Sequence, residues 1–228
     1  TETKGVDQFT VGGYETEIGR VREYMKDFAE ITHIPAHMVP YEFPDTKEKL
    51  AQYDAVLISD VGSNTFYLHP NTFFSSKTTP DLMEVIKEYV EEGGAFGMIG
   101  GYMTFMGIEG KGRWGGTKVE EILPVTMEAG ERPSGAVIHI DPASHPILEG
   151  LDETWSPLLG YNRLKAKEGG QVLVSYEGDP ILTIGYYGKG KTFAWASDCA
   201  PHWMPEEFCK SECNRRLWKN LLSWAAGR

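Results

Sequence analysis

Cysteine is scarce in this chain of 228 residues, which holds only Cys199, Cys209 and Cys213. An odd, low number of cysteines crowded into one short stretch excludes a disulfide framework and indicates a reducing, cytosolic environment. Hydrophobic residues make up 41% of the chain and charged residues 24%, which is a normal balance for a globular protein. A chain of this size buries enough surface to fold without a disulfide or a metal.

Positive charge and long apolar runs are also lacking. The chain has 22 Lys and Arg against 33 Asp and Glu, for a formal net charge of -11. Nucleic acids and anionic membranes bind clustered Lys and Arg, so the composition argues against both as main partners. No apolar run approaches the ~20 residues of a membrane span, and no signal peptide is visible. We therefore expect a soluble, cytoplasmic protein, and no sequence feature calls for a cofactor.

Helices and strands alternate along the chain, without a repeat or a linker, so we predict one domain over residues 1–228. Apolar side chains spaced three and four apart predict helices at residues 14–29, 47–52, 80–92, 119–123 and 206–226. In the helix over residues 80–92, Thr79 is the predicted N-cap and Pro80 suits the first helical position.

Two continuous apolar runs, residues 54–61 and residues 95–99, predict buried strands on either side of that helix. A strand, a crossover helix and a second strand in this order predict a right-handed unit within a parallel sheet. Further strands are predicted at residues 136–140, 171–176, 181–187 and 191–197, where tight turns favour antiparallel pairing. The fold class is therefore α/β, with a mostly parallel sheet and an added antiparallel portion.

The start of the sheet is unusual, because residues 1–13 are polar whereas such domains normally open with a buried strand. Either the sheet begins with residues 31–39, a strand candidate interrupted by Pro35, or a first strand is missing from this chain. We expect the second.

A phosphate-loop pattern, GxxxxGK[ST], occurs at residues 185–192 (GYYGKGKT). That motif requires a helix directly after the loop, so that backbone N–H groups face the phosphates. Here strand-like segments lie on both sides. We predict a hairpin turn in which glycine supplies a positive φ, and not a nucleotide site.

Polar clusters follow several predicted strands, and ligands of parallel sheets bind at the carboxyl ends of the strands. The first cluster is Asp60, Ser63 and Asn64, which either orient a ligand or cap a turn. The second is the pair Gly100 and Gly101 with the adjacent tyrosine. Paired glycines allow a sharp turn, where α/β enzymes form a nucleophile elbow, but the residue at its tip is Tyr102.

A third cluster is Gly160, Tyr161 and Asn162, which suits a polar ligand unless the tyrosine is simply buried. The fourth is the segment of Asp198, Cys199 and His202. A protonated imidazole lowers the pKa of a neighbouring thiol, so Cys199 and His202 could form a catalytic pair oriented by Asp198. The alternative is a buried structural cysteine beside a structural histidine.

Zinc is a further alternative for the same segment, with its ligands spaced C-x2-H-x6-C-x3-C. The four candidate ligands are Cys199, His202, Cys209 and Cys213, and zinc binds cysteine and histidine in such sets. The spacing matches no established zinc-finger class, so we predict no metal.

Several blocks together resemble a known bacterial family: LISDVGSNTFYLHP, EEGGAFGMIGGYMTFMGIEGKGRWGGT, ILPV, HPILEGL, LLGYNRL and YGKGKTFAWASDCAPHW. The chain resembles uncharacterised, cytoplasmic glutamine amidotransferase-like domains related to the class I amidotransferase fold and to the ThuA-like group. The similarity covers most of the chain, from about residue 4 to the last helix. It implies a flavodoxin-like α/β sandwich, and a strand before KGVDQF that this chain lacks.

Class I amidotransferases use a cysteine at the elbow and a His-x-Glu pair on a later loop. Here Tyr102 stands where that cysteine belongs, and DCAPHW replaces the late histidine and glutamate. The resemblance therefore implies the fold and the place of the pocket, without glutaminase activity.

Three functions remain open. The first is a small-molecule or hydrolase-like site lined by the first three clusters with Asp198 and His202. The second is a thiol-dependent hydrolase or transferase using Cys199 and His202. The third is a non-catalytic assembly module, which includes homo-oligomers, using the aromatic residues 66–74 or the loop 104–117 with Trp114.

Overall fold

The computed structural model describes residues 16–228 and all their side chains except those of residues 131–134. The polar segment 1–13 and the start of the first predicted helix lie outside the described residues. The helices are α1 (Ile18–Met25), α2 (Val39–Glu42), α3 (Lys47–Leu50), α4 (Asn64–Tyr67), α5 (Pro70–Ser75), α6 (Leu82–Glu91), α7 (Lys118–Ile122), α8 (Glu206–Cys209) and α9 (Glu212–Ala225). Short 3-10 turns lie at Ala36–Met38, Ile108–Gly110 and Pro146–Leu148.

Seven strands form two sheets within this part of the chain. They are β1 (Ala55–Ser59), β2 (Ala95–Ile99), β3 (Val125–Ala136), β4 (Leu158–Ala166), β5 (Gln171–Tyr176), β6 (Asp179–Tyr187) and β7 (Gly190–Trp195). The larger sheet has the order β1-β2-β7-β6-β5, and β3 pairs with β4 separately. β1, β2 and β7 are parallel, whereas β6 and β5 add antiparallel strands. This confirms the predicted α/β class and the antiparallel addition.

The helix α6 lies between β1 and β2 in the chain, where the apolar spacing predicts a helix. Its N-cap is Asp81, because the Asp81 carboxylate accepts hydrogen bonds from the N–H groups of Met83 at 3.0 Å and Glu84 at 3.3 Å. The prediction that Thr79 caps this helix was therefore wrong. A carboxylate has the further advantage that it complements the positive end of the helix dipole.

The strand candidate at residues 31–39, which we did not favour as the start of the sheet, does not form a strand. The chain forms a 3-10 turn at Ala36–Met38 and then continues into α2. Pro35 precedes the turn in an extended conformation, and Pro40 occupies the first turn of α2. Proline lacks the N–H that a strand within a sheet requires, so these two residues favour the helical path.

The region after residue 123 departs most from prediction. The predicted strand at residues 136–140 is wrong, because the strand there, β3, ends at Ala136. Its partner β4 was not predicted, and the register between them shifts after Met127 and again after Pro133. Such irregularities are typical of bulged pairs, whose sequences lack regular alternation.

The predicted C-terminal helix is divided into α8 and α9. The break lies at Lys210 and Ser211, and the Ser211 hydroxyl accepts a hydrogen bond from the Asn214 N–H at 3.0 Å. Serine competes for backbone hydrogen bonds within a helix but stabilises its start, so it begins a new helix here.

The phosphate-loop pattern lies on a hairpin, as predicted. Tyr187 at the end of β6 pairs with Gly190 at the start of β7. Gly188 in the turn has a φ of 57°. A tight antiparallel turn needs such a conformation, which glycine adopts without steric cost.

Aromatic packing fixes the position of β7. The ring of Trp218 on α9 lies 6.3 Å from that of Trp195 and 6.5 Å from that of Phe193. All three side chains are fully buried. The carboxyl end of β7, where the candidate site begins, is therefore held by one of the most densely aromatic parts of the core.

Candidate functional site

The carboxyl ends of the three parallel strands lie at one level. Ser59 pairs with Ile99 across β1 and β2, and Ile99 pairs with Trp195 across β2 and β7. Because parallel strands share a direction, the residues that follow these three positions meet at the same edge of the sheet. Asp60, Gly100 and Ala196 begin the segments that build the site.

The glycine turn after β2 is the most constrained part of this edge. A Cβ on Gly100 would lie 2.0 Å from the carbonyl oxygen of Ala196. Gly101 has a φ of 155°, and a Cβ there would lie 2.8 Å from Oδ1 of Asp60. Both positions therefore require glycine. The expected nucleophile elbow is not formed, because residues 102–117 continue as a loop with one 3-10 turn and no helix.

Asn162 holds the glycine turn in place. Its side-chain oxygen accepts from the Gly101 N–H at 3.0 Å, and its side-chain NH₂ donates to the Gly101 carbonyl at 3.2 Å. The side chain is 1% exposed. Asn162 thus satisfies a buried peptide group and does not line the cavity. It lies within β4, which corrects the prediction that it follows a strand.

Asp60 directly follows β1 in a left-handed conformation, with a φ of 49°. Its Oδ1 accepts a hydrogen bond from the Met103 N–H at 2.8 Å, which ties the loop after β2 to β1. Burial raises the pKa of the Asp60 carboxyl. The Met103 N–H opposes that shift, whereas the nearby Asp198 carboxylate adds to it.

Asp198 and His202 lie next to each other after β7. Oδ1 of Asp198 accepts from the backbone N–H groups of Cys199 at 2.7 Å and Ala200 at 3.2 Å, which fixes the carboxylate. Its Oδ2 lies 3.6 Å from Nδ1 of His202. The carboxylate raises the pKa of His202. With Nδ1 turned towards Asp198, Nε2 of the neutral ring is the atom that can accept a proton.

An aromatic wall borders the pair. The Tyr102 ring lies 6.5 Å from the His202 ring and 5.3 Å from the Trp203 ring. Trp203 packs over Gly160 in β4, where a Cβ would lie 2.8 Å from the indole. The Tyr102 side chain is 39% exposed. Tyr102 lines the cavity, whereas Gly160 makes room for Trp203.

Cys199 is buried and is not paired with His202. Its Sγ lies 3.7 Å from the Ser59 hydroxyl, and its carbonyl accepts a hydrogen bond from the Tyr24 hydroxyl at 2.9 Å. Burial, followed by the Asp198 carboxylate, raises the pKa of the Cys199 thiol. A reactive cysteine needs the opposite shift, so this geometry does not favour the thiol hypothesis. Among the side chains that the structure describes, no three His, Cys, Asp or Glu residues are arranged to hold a metal ion.

Three other predicted residues lie away from this cluster. The Ser63 hydroxyl donates to the Arg113 carbonyl at 2.8 Å, and Asn64 begins α4. The fully buried Tyr161 donates from its hydroxyl to Oδ2 of Asp179 at 3.1 Å. None of the three lines the cavity that opens from this cluster.

A cavity of about 1190 Å³ opens from the cluster and extends along β1. Its polar end is lined by Asp60, Tyr102, Asp198, Cys199 and His202. The rest is mostly apolar and was not predicted; it includes Val21, Met25, Ile34, Phe43 and Phe66. Only the apolar side of α1 could have indicated the apolar part of the cavity from the sequence, because the other lining residues come from separate elements.

The mixed sheet, the glycine turn after β2 and the polar cluster after β7 define an α/β protein of the glutamine amidotransferase-like class. The chain belongs to the family described as "Putative glutamine amidotransferase", whose model matches residues 1–227. It matches no curated protein. No helix within residues 16–228 is long and apolar enough to cross a membrane.

The chain is also similar to solved structures. The chain is similar to "Cytoplasmic Protein STM1381" from Salmonella typhimurium LT2, with 41% identity, a TM-score of 0.88, and coverage of 98% of this chain and 93% of that one. It is similar to "Cytoplasmic Protein STM3548" from Salmonella typhimurium, with 39% identity, a TM-score of 0.89, and coverage of 98% and 92%. A β-galactosidase from Bacillus circulans sp. alkalophilus shares the fold alone, at 15% identity and a TM-score of 0.54 over 93% of this chain and 28% of that one.

Proposed function

We propose that the polar end of the cavity binds a polar small molecule and that His202, as in a hydrolase, accepts a proton from the attacking water and returns it to the leaving group. The observation that carries this proposal is the Asp198–His202 pair, whose carboxylate is fixed by two backbone N–H groups. A histidine held in one tautomer beside a cavity is suited to general base chemistry. Asp60 and Tyr102 complete the polar lining and supply groups that orient a ligand.

The proposed function does not include glutamine hydrolysis. Tyr102 occupies the position after the glycine turn, and a phenol does not replace a cysteine as nucleophile for an amide. The neighbouring thiol, Cys199, is buried and has a raised pKa. We expect no ammonia release from glutamine above the spontaneous rate, and release that depends on Cys199 would contradict the proposal.

A thermal-shift screen of metabolites tests the site itself. Hits from the wild-type protein are measured again with Tyr102→Phe and His202→Ala. We expect at least one of these variants to lose most of the ligand-induced shift in melting temperature. Tyr186→Phe and His139→Ala are matched controls, because both side chains are exposed and lie outside the cavity lining. If neither site variant changes any hit, the site is wrongly placed.

Assembly is a second candidate function, because an aromatic surface is exposed. Tyr67, Phe73 and Phe74 are 50%, 65% and 81% exposed. Phe66 and Trp114, which the sequence also suggested for this role, are instead buried. Light scattering after size-exclusion chromatography tests self-association, and Phe74→Ser should then reduce it. A monomer at all concentrations argues against homo-oligomers.

We further propose that the protein is cytoplasmic, because both similar Salmonella proteins carry that description. The acidic net charge of -11 supports the expectation that neither nucleic acid nor a membrane is its partner. The sandwich arrangement, the additional first strand and the relation to the ThuA-like group remain predictions. Fractionation of cells that carry an epitope-tagged full-length protein tests the location.

A further inference from the structure

Two peptide groups hold the Asp198 carboxylate, the one that joins Asp198 to Cys199 and the one that joins Cys199 to Ala200. Their N–H groups donate to Oδ1 of Asp198 at 2.7 Å and 3.2 Å. The other oxygen, Oδ2, faces His202 and lies 3.6 Å from Nδ1 of the ring. The direction of the carboxylate towards His202 therefore depends on how firmly these two peptide groups are oriented.

Each of these peptide groups is also held at its opposite end. Both peptide bonds are trans, so each carbonyl points away from the N–H of the same group. The Asp198 carbonyl accepts a hydrogen bond from the Trp195 indole N–H at 2.9 Å. The Cys199 carbonyl accepts one from the Tyr24 hydroxyl, also at 2.9 Å. Both donor side chains are buried, at 0% and 7% exposure, so water does not readily replace them.

Tyr24 reaches the turn after β7 from a distant part of the chain. It lies on α1, 175 residues before Cys199. An ion pair of Arg20 with Glu206 at 3.0 Å attaches α1 to α8, but these side chains are 39% and 52% exposed. Exposed ion pairs each contribute little to stability and do not fix a geometry closely. The buried Tyr24 hydroxyl therefore gives α1 a direct and well-oriented contact with the turn.

The charges around His202 make its ring a reporter of this arrangement. Asp198 is the main cause of the raised pKa of His202, which burial opposes. The carboxylates of Asp60, after β1, and of Glu17, directly before α1, add smaller contributions to the rise of that pKa. Because Asp198 contributes most, the pKa of His202 depends on how well the Asp198 carboxylate is directed at the ring.

We propose that Tyr24 is a positioning residue of the Asp198–His202 pair. Its hydroxyl fixes the peptide group between Cys199 and Ala200, and this peptide group in turn fixes the carboxylate. Without the hydroxyl the Cys199 carbonyl loses a buried hydrogen bond, which favours rotation of the peptide group towards another donor. The Ala200 N–H then turns away from Asp198. A role of Tyr24 in a reaction rests on the function proposed above, whereas its hold on the carboxylate does not.

Tyr24→Phe removes the hydroxyl and keeps the ring, and NMR spectra of the ligand-free protein measure the consequence. We expect the Ala200 amide to exchange with solvent about tenfold faster or more, because its hydrogen bond to a charged group is weakened. The Cys199 amide should change much less, because Trp195 still holds the peptide group to which it belongs.

The titration of His202 is a second measurement on the same variant. We expect the ring to titrate at a lower pH than in the wild type, because a carboxylate that is less well directed stabilises the imidazolium less. The change should have the same direction as in Asp198→Asn. A purely structural role of Tyr24 would lower the melting temperature without moving this titration.

Tyr89→Phe is a matched control. Tyr89 is also buried, and its hydroxyl donates to a backbone carbonyl, that of Tyr53, at 3.0 Å. This variant should lose stability but leave the Ala200 amide and the His202 titration as they are in the wild type. If Tyr24→Phe does not fold, the wild-type protein still provides a test. A Tyr24 hydroxyl proton without a slowly exchanging NMR signal would show that the hydrogen bond does not form.

A His202 titration in Tyr24→Phe that stays as in the wild type would overturn the proposal, and so would equal changes in the two phenylalanine variants. A shifted titration with an unchanged Ala200 amide would also overturn it, because the hydroxyl would then not act through the peptide group. If metabolite hits depend on His202 while the titration does not move, the inference fails and the proposed function stands. If the titration moves but no hit depends on His202, the positioning role stands and the proposed function fails.

Discussion

Replacement of Asn162 by leucine removes two hydrogen bonds from a site that water does not reach. The side chain is 1% exposed and pairs with both the N–H and the C=O of Gly101. Leucine has a similar size but leaves both backbone groups unpaired in the interior. Each such group costs about 1–3 kcal/mol, so the free energy of unfolding should fall by roughly 2–6 kcal/mol. Many domains are stable by only about 5–15 kcal/mol, so this loss is large.

Urea denaturation measured by tryptophan fluorescence tests this prediction. Asn220→Leu is a matched control, because the Asn220 side chain also donates to two carbonyls, of Ile147 and Glu149, each at 3.1 Å, but is only half-buried. Water can replace those bonds, so the control should lose no more than about 1 kcal/mol. Equal losses in the two variants would refute the role of Asn162 as the clamp of the glycine turn.

Three further substitutions and one labelling experiment probe the same edge of the sheet. Gly101→Ala should cost at least about 1–3 kcal/mol in a melting experiment, because its φ of 155° is strained for alanine and Asp60 leaves no room for a Cβ; an unchanged melting temperature would contradict this. Asp198→Asn should lower the pKa of His202 in an NMR titration, because the carboxylate that raises it is gone; an unchanged titration would show that the pair does not form. The Asp60→Asn variant should become more stable than the wild type as the pH rises above about 4. In the wild type the pKa of the Asp60 carboxyl is higher in the folded state than in the unfolded state, so ionisation of this group destabilises the fold, by about 1.4 kcal/mol per pKa unit. Iodoacetamide should label Cys199 in the native protein more slowly than a free thiol at the same pH, and faster labelling would restore the thiol hypothesis.

The sequence predicted those elements that local pattern determines. β2, β5 and the hairpin between β6 and β7 lie where apolar runs and glycine place them. β3 was missed because its stretch of Gly130, Glu131 and Pro133 has little tendency to form a strand, and its pairing with β4 decides its structure. Ser211 divided the last helix because a local N-cap prevailed over a continuous apolar pattern.

The candidate site was predicted in outline only. Asp60, Tyr102, Asp198 and His202 do meet at the polar end of the cavity, because the carboxyl ends of parallel strands converge. Asn162 lies next to this edge as a clamp, whereas Tyr161 points towards Asp179, since neighbouring side chains on a strand face opposite sides. The burial that raises the pKa of Cys199 depends on α1 and on β1, and no local pattern around residue 199 reports it.

Hydrogen exchange with and without the strongest metabolite hit tests the central claim most directly. We predict slower exchange of the backbone amides in residues 60–61, 101–103 and 198–202, because these segments carry the polar end of the cavity. The amides around Tyr67, Phe73 and Phe74, on the exposed aromatic surface, should be unchanged. Slower exchange confined to that surface, with none after β1, β2 and β7, would contradict the site proposed here.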